Sequence, residues 1–205
     1  MSEILLVTSS PRGTASHSSR IAGELARGLQ AASPGSRLAV RDLAAQPLPH
    51  IGSDFAAGIH APADTRSAAQ AQAVASSDAA VAELLAADTV VIAAGLINFA
   101  VPSTLKAWLD HVARAGQTFR YSEKGPEGLV TGRKVYLVIA SGGVYSDGPA
   151  AAFDHAVPYL RTMLGFLGMT DVELIRVEGV AMGPDAEARA LSQARAQLSG
   201  LAQAA

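Results

Sequence analysis

Gly95–Gly116, GLINFAVPSTLKAWLDHVARAG, follows the apolar run Thr89-Val90-Val91-Ile92-Ala93-Ala94. The run reads as a buried strand. It breaks at Gly95, exposes Asn98 and Phe99, and restarts as an amphipathic helix after Val101-Pro102, with Ser103 as the expected cap. A strand thus feeds a loop carrying one amide and one aromatic ring, and the loop feeds a helix. In an open α/β sheet, ligands bind in the crevice at the carboxyl ends of the strands. This loop is therefore a candidate site wall.

The same strand–loop–helix grammar repeats on either side. Ile4–Thr8 is a short apolar run closed by Ser9-Ser10-Pro11-Arg12-Gly13, and Ile21, Ala22, Leu25 and Leu29 then recur at helical spacing. Arg37–Asp42 alternates as a second strand. Leu43–Ala63, rich in Pro and Gly, reads as a long irregular surface segment, and alanine-rich Asp64–Ala87 as a long helix. Trp108 shares a helical face with Leu105, Leu109 and Val112, which suits core or a subunit contact. Ala115–Thr131 is a loop or hairpin excursion. Lys134–Ala140 and Asp171–Val177 are the last two strands. Phe153–Leu167 and the segment from Pro184-Asp185 onward complete the helices. Alternation of this kind predicts one domain spanning 1–205, a doubly wound α/β fold with a five-stranded parallel sheet in the order 2-1-3-4-5 and helices on both faces.

Composition narrows the function. The net charge of −2 offers no field for nucleic acid or an anionic membrane. There is no cysteine, so thiolate catalysis and disulfides are excluded. The five histidines show no metal-ligand spacing, so no metal site is expected. No run approaches membrane-spanning length and no signal peptide is evident, so a cytoplasmic protein is expected.

Three loops can carry chemistry. Ser9–Ser19 holds five serines, a threonine and an arginine, without a carboxylate, where a helix begins. Hydroxyls and free helix amides make an anion site. A helix cap would need one hydroxyl, not six. Neither G-x-G-x-x-G nor G-K-[ST] is present, which leaves a terminal phosphate monoester. In the second loop, amides from Leu96 to Phe99 can contact a flat ring, though Phe99 alone also reads as core. In the third, Gly142-Gly143 permits close backbone approach or simply a turn. The three loops follow adjacent strands, and together they describe a site for a flat mononucleotide. A serine hydrolase using Ser9 or Ser10 lacks the G-x-S-x-G elbow.

With these residues in view, the chain resembles the flavodoxin-like FMN-dependent NADH:azoreductase and NAD(P)H:quinone oxidoreductase family. The resemblance runs through the serine-rich loop, Arg41-Asp42-Leu43-Ala44, Asn98-Phe99, Thr118-Phe119-Arg120-Tyr121 and Gly125-Pro126-Glu127-Gly128-Leu129. It continues in Gly142-Gly143, Asp147-Gly148-Pro149, Pro158-Tyr159-Leu160 and Leu164-Gly165-Phe166. It implies FMN as cofactor, NADH or NADPH as electron donor, and two-electron ping-pong reduction of quinones or azo compounds by a homodimer with sites at the interface. By the same resemblance, Ser10, Ser16, His17 and Ser18 would bind the FMN phosphate. Leu96, Ile97, Asn98 and Phe99 would line the ring system, and Ala140, Ser141, Gly142 and Gly143 its pyrimidine end. Phe99, Tyr121, Tyr145 and Met163 would shape the substrate face, some from the partner subunit. No side-chain acid–base pair is expected. A flavodoxin-type electron carrier without its own nicotinamide turnover is the alternative, but such carriers are usually strongly acidic.

Overall fold

The computed structural model describes residues 2–204, with side chains described to Leu201. Its centre is a parallel sheet of β1 (Glu3–Thr8), β2 (Arg37–Asp42), β3 (Thr89–Gly95), β6 (Lys134–Ser141) and β7 (Asp171–Glu178), ordered β2-β1-β3-β6-β7. β4 (Phe119–Ser122) and β5 (Gly125–Gly128) form a separate antiparallel hairpin. With the hairpin set aside, the order is the expected 2-1-3-4-5.

Strand alternation decides which helix packs where. Ile4, Leu6, Val91, Ala93, Val138 and Ile175 point to one face, covered by α1 (His17–Ala32) and α6 (Pro184–Ala204). Leu5, Val7, Val90, Ile92, Leu137 and Ile139 point to the other, under α3 (Ala68–Ala86), α4 (Ser103–Val112) and α5 (Ala156–Leu167). The central strands are apolar throughout because both faces are covered. β2 lies at the sheet edge, and there Val40 is exposed.

Three local expectations are corrected and a fourth is resolved. Leu43–Ala63 is not merely an irregular surface segment. Leu43, Leu48 and Phe55 are buried, and a short helix, α2, spans Ser53–Gly58. His111 ties the segment down, with Nε2 2.8 Å from the Pro49 carbonyl and its ring edge-on to Phe55. Next, α3 begins after Ser67, whose hydroxyl and backbone complete a reciprocal cap with Gln70. Third, Ser103 is not a cap but the first residue of α4, and Pro102 precedes it without a side-chain bond. Finally, of the two readings of Trp108, core and subunit contact, the core is the one found: it is wholly buried within this chain.

The hairpin is fastened at its root. A side chain on Gly128 would overlap the backbone of Leu167 and Gly168. Gly168 ends α5 in the left-handed region, at φ 99°, and the Val130 N–H donates to the Leu167 carbonyl. Among the described residues no helix is long and apolar enough to cross a membrane.

Candidate functional site

The loops after β1, β3 and β6 meet at the carboxyl end of the sheet, around three adjoining cavities. One, of about 540 Å³, is walled by Ser10, Ser16, His17 and Ser18 on one side. Leu96, Ile97, Ala140, Ser141 and Gly142 stand opposite. A second, of about 260 Å³, adds Asn98, Phe99, Gly143 and Tyr145. A third, of about 950 Å³, opens between Ile97–Thr104 and α5, where His155 and Tyr159 stand. All twelve residues expected around a cofactor thus line the first two cavities.

The first loop is a relaxed structure. The Ser16 hydroxyl caps α1 by accepting from the Ser19 N–H and lies 3.0 Å from the Ser18 hydroxyl. Both are buried, as is Ser10. Ser9 does otherwise: its hydroxyl donates to the Ala93 carbonyl, which ties the loop to β3. Neither Ser9 nor Ser10 is hydrogen-bonded to a histidine among the described residues, so the pairing that activates a hydrolase serine is missing. His17 is buried with Nδ1 unpartnered, and its Nε2 lies 3.6 Å from Glu187. Arg12 and Arg20 reach the same cavity. Hydroxyls, first-turn amides and a histidine with spare bonding capacity fit a phosphate monoester.

The loop after β3 differs. The Ile97 and Ala100 backbones exchange two hydrogen bonds of 3.0 Å, closing a two-residue turn. Asn98 and Phe99 are its central residues, at φ 48° and 69°. Positive φ at both positions defines a type I′ turn, which favours Asn-Gly. Asn98 suits it; Phe99 does not, because its Cβ crowds the backbone. The turn also revises the expected donors. The Leu96 N–H is bound to the Ala140 carbonyl and that of Ile97 to Ala100. The amides left to face a flat ring are those of Asn98 and Phe99. In the third loop the Gly142 and Gly143 carbonyls accept from Ala181 and Gly179, so this loop too offers a ligand its N–H groups.

Phe99 is held from outside its own loop. Its carbonyl accepts from the His155 N–H at 3.0 Å, and its ring meets Phe153 at 5.2 Å and Tyr145 at 6.2 Å between centroids. Tyr145 and Phe153 ride on a strap, residues 143–155, that β7 pins at both ends. Arg176 binds Asp154 at 2.6 Å and Glu178 at 2.9 Å, while Glu178 accepts from the Tyr145 N–H. Asp154 in turn accepts from the first amides of α5, those of Ala156 and Val157.

Two expected substrate-face residues are not at these cavities in this chain. Tyr121 stands on the hairpin, 74% exposed and edge-on to Phe119. Met163 packs on the core beneath α5. Burial pushes the Tyr159 phenol upward from its ordinary value, with the Lys106 charge opposing. The phenol is a neutral donor at neutral pH. Sequence reasoning counted Arg12 in the serine loop but missed Arg20, His155, Tyr159 and Glu187. Arg20 was visible just after that loop, but nothing local marks Glu187, which arrives from the last helix. Among the described residues no cluster could hold a metal ion.

Comparison with known proteins agrees with this geometry. A family model described as flavodoxin-like fold matches residues 2–201. An FMN-dependent NADH:quinone oxidoreductase of Mesorhizobium japonicum is 61% identical over 97% of this chain and 94% of its own length. An azoreductase from Bacillus anthracis str. Sterne superposes with a TM-score of 0.91 at 32% identity, covering 98% of this chain and 99% of its own. An FMN-dependent NADH-azoreductase from Bacillus anthracis str. Ames Ancestor, solved in complex with FMN, gives 0.87 at 25% identity over 98% and 100%. A family match over nearly every residue, and a relative identical at most positions, make this chain a member of the flavodoxin-like fold family, in its group of FMN-dependent quinone and azo reductases.

Proposed function

We propose that the chain is a single FMN-binding domain, active as a cytoplasmic homodimer, that oxidises NADH or NADPH and reduces quinones or azo compounds. The observation that carries this reading is the meeting of an anion cradle, Ser10 and Ser16–Ser18, with two amide-lined loops around one crevice. Bound FMN supplies two-electron transfer between a nicotinamide and an acceptor that occupy its face in turn. The chain's residues bind and orient. Ser10, Ser16, His17 and Ser18 hold the phosphate. The Asn98 and Phe99 amides meet the ring edge, and those of Gly142 and Gly143 favour negative charge at the pyrimidine end. Phe99 and Tyr145 give the acceptor an apolar face. Tyr121 and Met163 contribute to that face across the dimer, which accounts for their absence from the cavities of their own chain. A nicotinamide donor fits the cytoplasmic placement.

Purified protein is expected to be yellow, to release FMN on denaturation, and to oxidise NADH steadily when menadione or an azo dye is supplied. A yellow protein idle in that assay would be an electron carrier. A colourless one that takes up no FMN would end the proposal.

A further inference from the structure

Glu187 puts a carboxylate into the wall of a cavity otherwise built for an anion. It stands in the first turns of α6, its N–H bound to the Gly183 carbonyl, and its side chain is 41% exposed toward the cavity. An acidic residue near a helix N-terminus is ordinarily explained by the helix dipole. That explanation accounts for its position on α6, not for its neighbour. Glu187 Oε1 lies 3.6 Å from Nε2 of His17, the first residue of α1. His17 is flanked by the capping hydroxyl of Ser16 and the buried hydroxyl of Ser18. The carboxylate is therefore one side chain away from the place where the proposed phosphate sits.

His17 stands between the two. Its Nδ1 is buried with no partner, which leaves it free for a phosphate, while Nε2 faces Glu187 at 3.6 Å. A phosphate bound at His17 and its serine neighbours is therefore held close to the Glu187 carboxylate. The other charged groups lining the cavity are Arg12 and Arg20, both exposed, and neither makes an ion pair, with Glu187 or any other carboxylate, among the described residues.

We infer that Glu187 lowers the phosphate affinity of the cradle and makes FMN an exchangeable ligand. The inference rests on the FMN reading above. It concerns the phosphate group alone, and riboflavin, which lacks that group, separates it from any effect of Glu187 on folding. The experiment measures dissociation constants of FMN and riboflavin, by flavin fluorescence, for the full-length protein and Glu187→Gln at low and at molar salt. The expected result is FMN bound about three- to tenfold more tightly by the variant at low salt, the gain shrinking at high salt. Riboflavin should bind both proteins alike. Equal or weaker FMN binding by Glu187→Gln overturns the inference and leaves the cofactor reading standing. An equal gain for FMN and riboflavin also overturns it, since the effect would not act through the phosphate. If the unaltered protein binds neither flavin, the cofactor reading falls and takes the inference with it.

Discussion

The loop after β1 faces its cavity with capped helix amides and hydroxyls in relaxed conformations, whereas the turn after β3 faces it with two residues at positive φ. The first is largely self-contained: the Ser16 cap and the Ser16–Ser18 contact lie within it, and its outward links are those of Ser9 to β3 and α4 and of His17 to Glu187. The second depends on others. Strain of this kind costs about 1–3 kcal/mol per residue and persists only where surrounding structure enforces it. Here the enforcement comes from the His155 N–H and the strap that Arg176 pins. One end of the crevice is made by local sequence, and the other by tertiary structure. The difference suits a cofactor phosphate that never varies and an acceptor that does.

The contrast can be broken most forcefully at Arg176. In Arg176→Leu the carboxylates of Asp154 and Glu178, both largely buried, lose their partner. Stability should fall by about 3 kcal/mol, a loss of roughly 6–12 °C in thermal midpoint for a domain this size. The acceptor KM should rise while FMN affinity changes little. A matching loss of FMN would show that the two ends are not independent. Next is Ser18→Ala, which removes a buried hydroxyl from the cradle. A hydrogen bond to a charged group contributes about 1.5–3 kcal/mol, so FMN affinity should drop by about 10–100-fold in equilibrium titration, with thermal stability of the FMN-free protein nearly unchanged. The finest test compares Phe99→Gly with Phe99→Ala. Both remove the ring, and only alanine keeps the strain. The glycine variant should be more stable by about 1 kcal/mol in urea titration. Equal stabilities would mean that the turn relaxes once the ring is gone.

The comparison also explains what could be read in the sequence. β1, β3 and β6 were plain because strands buried on both faces are continuous apolar runs, and Ser9–Ser19 because hydroxyls before a helix have a local meaning. Asn98 and Phe99 drew notice as residue types, yet their strain did not, since nothing in the letters Asn-Phe announces a turn that favours Asn-Gly. The buried segment around Leu43, Leu48 and Phe55 looked like surface because its prolines and glycines speak louder than three scattered apolar residues. Glu187 was unreadable for a simpler reason: 169 residues separate it from Ser18, and only the packing of α6 beside α1 makes them neighbours.

The contact between Gly128 and the end of α5 sets how this chain tolerates change. Backbone lies against backbone there, and no larger residue fits at position 128. The hairpin tip at Glu123 and Lys124 is exposed in this chain. In a library of random variants selected only for folding, position 128 would come back as glycine, and position 168 nearly so, while 123 and 124 would return almost every amino acid. The hairpin that carries Tyr121 is thus a fixed stem with an interchangeable tip, and insertions or tags placed at residues 123–124 should leave the fold of the chain itself undisturbed.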